Sequence, residues 1–404
     1  MDNVLSSRLA NSLILSNADF EFKLLRQFGL ITYGGATFGE CYKAARTMVD
    51  WNLSEWVREW ATLAEDVERT AVSSRERGHS VSACEAYLRA SNYYHAAEYY
   101  ALVANRDHVT YGLKCKECFE QAMPLLPYHA EVVNLKALDR TYPCYFFKPD
   151  GGDAPRRTVI LVPGIESCGE EQYFYHAVSA LQRGYAVFIF QGPGQTGMFR
   201  TDPTCFLRHD FEVPLLVGMD YLEKRPDVDM STITAIGSGL GSYFVSRLAV
   251  FDPRIKALVV NPPFVDMQKI FIGLLGPRAT YVDFSLEDLN ELPDTILRVP
   301  LKLFILNMCR RFGVNRLQQF IKATEQYSIS DRLYRIHCPT LCIHGDTAYP
   351  ELEVQSRFYF EGISSEVKSL RTVQSIHEAD AHDHVSNLAT LNQIIFDWLD
   401  ELYP

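Results

Sequence analysis

The stretch Thr232–Ala249, T-I-T-A-I-G-S-G-L-G-S-Y-F-V-S-R-L-A, limits the fold more than any other part of the chain. A β-branched run meets a glycine-rich turn and passes at once into a helical pattern, which is one half of a crossover unit. Short β-rich runs bounded by Gly, Pro and Asp recur at Thr158–Val162, Ala186–Phe190, Thr232–Ile236, Ala257–Val260 and Thr340–His344. Helical stretches such as Tyr173–Gln182 and Phe211–Lys224 alternate with them. That alternation predicts an α/β architecture with a mostly parallel sheet. Between the Ala257 and Thr340 runs lies Asp266–Arg335, helical in pattern and rich in Leu, Ile and Phe. An insertion at the carboxyl end of a strand is where a lid over a site would sit.

Upstream the periodicity is different. From Ser54 to Leu126 apolar and aromatic residues recur at three and four, as in Trp56, Trp60, Leu63 and Val67, which predicts amphipathic helices packed on each other. The tyrosines of Ser82–Tyr100 are expected to pack with satisfied hydroxyls, although such a surface could also line a pocket. The loop Gly151–Arg157 leads into the sheet, and 404 residues exceed one ordinary core. The expected division is therefore a helical domain over 1–145 and a sheet domain over 146–404, with the lid at about 266–335.

Composition excludes several classes. A net charge of -11 argues against a nucleic-acid groove or an anionic membrane surface. Neither a secretory leader nor a membrane span is legible, so a cytoplasmic protein is expected, with its ten cysteines kept as thiols. Cys115 and Cys118 form a C-x-x-C without a second pair, and no metal is expected there. No cofactor is expected either. The glycines of Gly192–Gly197 lack the dinucleotide spacing, and no G-K-[ST] follows G-S-G-L-G-S.

The strand, glycine turn and helix of Thr232–Ala249 match the pattern small-x-nucleophile-x-small of the α/β-hydrolase fold, with Gly237 and Gly241 as the small residues. The nucleophile slot is then Gly239. Ser238 and Ser242 flank it, and in such a bend their side chains point away from the place where the slot's side chain would emerge. Cys168 lies in another candidate loop, with nothing in the sequence to lower its pKa. Two backbone N–H groups would form the oxyanion site, one from Leu240 and one from Glu166 or Ile165 in V-P-G-I-E-S-C-G-E-E. Asp346, just past the Thr340 strand, is placed to orient a base. The stretch H-E-A-D-A-H-D-H offers His377, His382 and His384 as candidates for it.

Taken together, the R-A-S-N-Y-Y segment at Arg89–Tyr94, P-G-I-E-S-C-G-E-E, G-P-G-Q-T-G at Gly192–Gly197 and N-Q-I-I-F-D-W-L at Asn392–Leu399 resemble the α/β-hydrolases of fungal secondary metabolism. They are similar to the hydrolases of fusarin and cytochalasan pathways, to 2,6-dihydroxypseudooxynicotine hydrolase and to the pigment-shortening hydrolase of melanin biosynthesis. The resemblance selects His382 over His384 as the base, places the family's serine at Gly239, and puts Gln191 where an acidic residue is usual. The acid loop around Asp346 is shorter than the family's H-G-x-x-D. It implies C–C or amide hydrolysis, or ring-forming steps, on a hydrophobic polyketide-derived small molecule. With no hydroxyl at the slot, the expectation is general acid–base chemistry without an acyl-enzyme. A metabolite-binding protein without catalysis, and a serine hydrolase whose serine was exchanged for glycine, are the alternatives. A homodimer is left open.

Overall fold

The computed structural model describes residues 14–16, 18–48, 52–104, 108–289, 291–293, 297–346, 349–374 and 384–404. The N-terminal part is helical: α1 (Ala18–Gly29), α2 (Phe38–Ala45), α3 (Leu53–Glu76), α4 (Ser80–Ala104) and α5 (His108–Ala122). Asn52 starts α3 by accepting from the Glu55 N–H at 3.1 Å. Trp56, Trp60, Ala64, Val67 and Ala71 then form its buried stripe. Gly78, at φ +79°, reverses the chain into α4. The small residues Ala83, Ala86, Ala90 and Ala97 of α4 are fully or almost fully buried, and the Trp56 indole donates to the Ala96 carbonyl at 2.8 Å. Two tyrosines of α4 pack with satisfied hydroxyls: Tyr93 donates to Glu40 and Tyr94 to Glu68, both at 2.6 Å.

Eight strands form one sheet: β1 (His129–Ala137), β2 (Arg140–Lys148), β3 (Thr158–Val162), β4 (Ala186–Phe190), β5 (Thr234–Ser238), β6 (Ala257–Asn261), β7 (Thr340–Gly345) and β8 (Lys368–Val373). Their order is β1-β2-β4-β3-β5-β6-β7-β8; β1, β2 and β4 pair antiparallel and every other pairing is parallel. The five runs expected from the sequence are the five contiguous central strands, all buried on both faces. The observed β5 lies two residues further along than expected. The sheet begins at His129, so the boundary expected at 145/146 falls inside β2.

Helices cover both faces. After β3 come α6 (Gly169–Gln172), a π-turn (Tyr173–Ala177) and α7 (Val178–Gln182); after β4 come α8 (Thr196–Thr201) and α9 (Glu212–Glu223). The helix α10 (Leu240–Phe251) follows β5. Between β6 and β7 the expected insertion is helical, with α11 (Met267–Leu275), α12 (Leu286–Leu289), α13 (Val299–Phe312) and α14 (Leu317–Thr324). The last helices are α15 (Pro350–Gly362) and α16 (Leu388–Leu402).

Side-chain alternation along the strands divides the core into two. Val159, Leu161, Ile189, Ile236 and Val259 pack toward the N-terminal helices and α16. Ile160, Val162, Phe190, Ala235 and Val260 pack toward α9, α10 and the insertion. Buried ion pairs fasten the helical layer to the loop after β3. Arg26 pairs with Glu171, and Arg200 bonds both Glu98, with Nε to Oε1 at 2.7 Å, and Glu170 at 3.1 Å. All ten cysteines are free. Among the described residues, no helix is long and apolar enough to cross a membrane.

Candidate active site

The bend between β5 and α10 is built on backbone. Gly239 has φ 55° and ψ −127°, a region that costs a residue with a side chain about 1–3 kcal/mol. Its N–H donates to the Asn261 carbonyl at 2.7 Å, tying the bend to β6. A Cβ at position 237 would lie 2.3 Å from the Gly241 carbonyl oxygen, and one at 241 would lie 2.2 Å from that of Val162. Both flanking positions therefore demand glycine. The N–H of Leu240 opens α10, where it has no partner within the helix and adds to the positive end of the helix dipole.

Neither neighbouring serine turns toward that opening. The Ser242 hydroxyl donates to the Gly237 carbonyl at 2.8 Å and accepts from the Asn261 N–H at 2.9 Å, which makes it a brace. Ser238 shares the face of Ile236 and so points to the helical layer, where its Oγ lies 3.4 Å from His176 Nε2. The Asn392 amide donates to the Tyr175 carbonyl at 2.8 Å, leaving its oxygen to accept from His176 Nδ1 at 2.8 Å. Burial lowers the His176 pKa to about 4, so the ring is neutral near pH 7. Cys168 is fully buried at the start of α6, and desolvation pushes its thiol far above the usual range.

The loop after β3 passes over the bend. A Cβ at Gly164 would lie 3.3 Å from the Ser238 carbonyl oxygen and 3.8 Å from Leu240 N. Ile165 is buried, and its carbonyl accepts from the Thr196 hydroxyl at 2.8 Å. The Glu166 side chain is 43% exposed and pairs with Lys23 of α1 at 2.8 Å. The Lys23 charge, with smaller contributions from Arg26 and Arg311, lowers its carboxyl to about 2. Arg311 reaches down from α13, donating to the Gly194 carbonyl at 2.6 Å and to the Thr196 hydroxyl at 3.0 Å; burial lowers it to about 10. The Gln191 side-chain oxygen accepts from the Gly169 N–H at 2.7 Å, so an amide there holds the start of α6.

Asp346 follows β7 directly, and its N–H donates to the Val373 carbonyl at 3.0 Å. Gly239, the Gly164–Glu166 loop and Asp346 thus all lie at the carboxyl ends of parallel strands, where ligands bind in open α/β sheets. His377 and His382 lie outside the described residues. His384 is buried, at φ +58°. Lys23, Arg311 and the His176–Asn392 pair were not anticipated. Lys23, Arg311 and His176 are lone residues without a motif, and Asn392 heads the N-Q-I-I-F-D-W-L motif without any sign of its partner, so only the fold could bring them here.

A family model described as esterase FrsA-like matches residues 42–272, more than half of the chain. The chain belongs to the FrsA-like esterase family. Among curated relatives of this FrsA-like chain, the "20-hydroxy-prefusarin hydrolase FUS2" of Gibberella moniliformis is 29% identical over 95% of this chain and 96% of that protein. The "Hydrolyase poxO" of Penicillium oxalicum is 27% identical over 95% of this chain and 96% of its own. Among solved structures, 2,6-dihydroxy-pseudo-oxynicotine hydrolase superposes with a TM-score of 0.72 at 22% identity, over 92% of this chain and 94% of that one. That likeness establishes the α/β-hydrolase fold.

Proposed function

We propose that this FrsA-like protein is an enzyme of a polyketide or polyketide–amino-acid pathway that works without a covalent acyl-enzyme. The reaction is ring closure, condensation, or C–C or C–N bond chemistry on a hydrophobic substrate. The observation that carries this reading is Gly239 at φ 55° and ψ −127°, at the head of α10 with no side chain to attack from. The position corresponds to the family's serine.

What remains at the bend suits an enolate or alkoxide. The N–H of Leu240 and that of Ile165 or Glu166 would hold the oxyanion, each such donor being commonly worth roughly 3 kcal/mol. His382 is the general base, in the segment after β8, and Asp346 orients it, following the chain order of slot, acid and base. The base removes a proton from a carbon acid or from water, and the N–H pair takes the resulting negative charge. The names of the relatives support the substrate class: one acts on 20-hydroxy-prefusarin and another is called a hydrolyase. No cofactor enters the scheme.

The test is His382→Ala, assayed on the polyketide-derived intermediate that accumulates when the protein is removed. A loss of at least a hundredfold in turnover at unchanged fold is expected, in the usual range for a general base. Undiminished turnover would overturn the assignment. Tight binding of the intermediate with no turnover in either protein would favour a metabolite-binding role instead.

A further inference from the structure

Beneath the loop after β3, where the helical layer meets the sheet, side chains of metal-ligand type converge from three separate elements. Cys115 comes from α5, Cys168 and Glu170 from the start of α6, and His95 from α4. The two sulfurs and a carboxylate oxygen lie within 4.8 Å of one another, all of them buried. The fourth side chain gives an independent sign. His95 is 1% exposed, and Glu98 accepts from its Nδ1 at 2.9 Å, which orients the ring. Its Nε2 has no hydrogen-bond partner. That nitrogen lies 3.8 Å from a Glu171 oxygen, and the ring borders the Cys168 thiol from outside the 4.8 Å group of Cys115, Cys168 and Glu170.

We propose that Cys115, Cys168, Glu170 and His95 bind one divalent ion of the zinc class at this seam. Thiolate sulfur, imidazole nitrogen and carboxylate oxygen are each ligands that zinc takes, and four ligands complete its tetrahedral shell. Binding exchanges the thiol protons of Cys115 and Cys168 for metal–sulfur bonds, and displaces a further proton if His95 Nε2 carries one. Those protons go to solvent, and nothing is oxidised or reduced. Two thiolates balance the ion, and Arg200 stays paired with both Glu170 and Glu98, so the cluster keeps one negative charge.

Outer partners are already in place to hold the ligands. The Tyr145 hydroxyl donates to Glu170 at 2.7 Å, Arg200 donates to its other oxygen, and the Ser91 hydroxyl lies 3.5 Å from the Cys115 sulfur. The site would pin the loop carrying Ile165 and Glu166 to the helical layer, and it does not depend on the reaction proposed above. The C-x-x-C of the sequence is not the metal pair. Cys118 sits one helical turn from Cys115 and faces Glu68.

The test is metal analysis of the untagged full chain, produced with zinc and without chelator. A single zinc per chain is expected. It should be lost in Cys115→Ser and in Cys168→Ser and kept in Cys118→Ser. Should the first two variants not fold, cobalt(II) added to the reduced parent protein decides. Tetrahedral d–d bands with thiolate-to-cobalt charge transfer support the site, and His95→Gln should shift those bands. A folded parent that carries no zinc and gives no thiolate–cobalt absorption overturns it, as does zinc that survives both serine substitutions.

Discussion

Gly239 suits its bend by what it lacks, since no side chain strains the backbone at φ 55° and ψ −127° at the head of α10. Gly239→Ser should lower stability by about 1–3 kcal/mol, read as a lower urea midpoint at unchanged slope. A variant as stable as its parent would show that the bend carries no strain. Gly239, Leu240, Ile165 and Glu166 were legible in the sequence because they sit at fixed offsets inside contiguous motifs. Lys23 and Arg311 were not. Their proximity to Glu166 is tertiary, set by how α1 and the insertion pack. Cys168 illustrates the same limit from the other side, since only the fold reveals that its partner is Cys115.

Among the elements, β5 and α10 meet with no space to spare. Gly241→Ala would drive a methyl group to 2.2 Å from the Val162 carbonyl oxygen, which is backbone and cannot swing aside. A loss of about 3 kcal/mol, the upper end of the usual overpacking range, is expected in chemical denaturation. A near-neutral change would mean that β3 and α10 are looser than drawn. The π-turn and α16 are joined through His176 and Asn392, and that link gives a pH signature. The folded ring has its pKa lowered from 6.5 to about 4, so the unfolded chain binds more protons between those values. The stabilisation is complete above the unfolded pKa and is lost as pH falls toward about 4, on the order of 3 kcal/mol in all. His176→Gln should therefore lose less stability than the parent between about pH 7 and pH 4. Parallel curves for the two proteins would show the histidine to be solvated. The central strands were readable because each is a short apolar run bounded by turn residues. The edge strands β1 and β8 are half-exposed and carry polar residues such as Glu131, Lys136, Lys368 and Arg371, so no buried run marks them.

On the scale of the whole molecule, a helical layer packs on one face of an α/β-hydrolase sheet, with buried ion pairs along the seam. The division into helical and sheet parts was visible as a change from apolar residues recurring at three and four to short β-rich runs bounded by Gly, Pro and Asp. The seam itself was not, since Arg26, Glu98, Glu171 and Arg200 lie far apart in the chain and pair only once it folds. The insertion was visible as a helical interruption between two strands, whereas its grip on the Gly194 carbonyl through Arg311 was not. Because the proposed reaction needs no nucleophile at position 239, intact-mass spectrometry tests the account most directly. The full chain would be incubated with a fluorophosphonate probe, and separately with its polyketide-derived substrate, and then weighed. The unmodified mass is predicted in both cases, with substrate consumed in the second; a stoichiometric adduct mapping to a serine or cysteine beside the bend would contradict it.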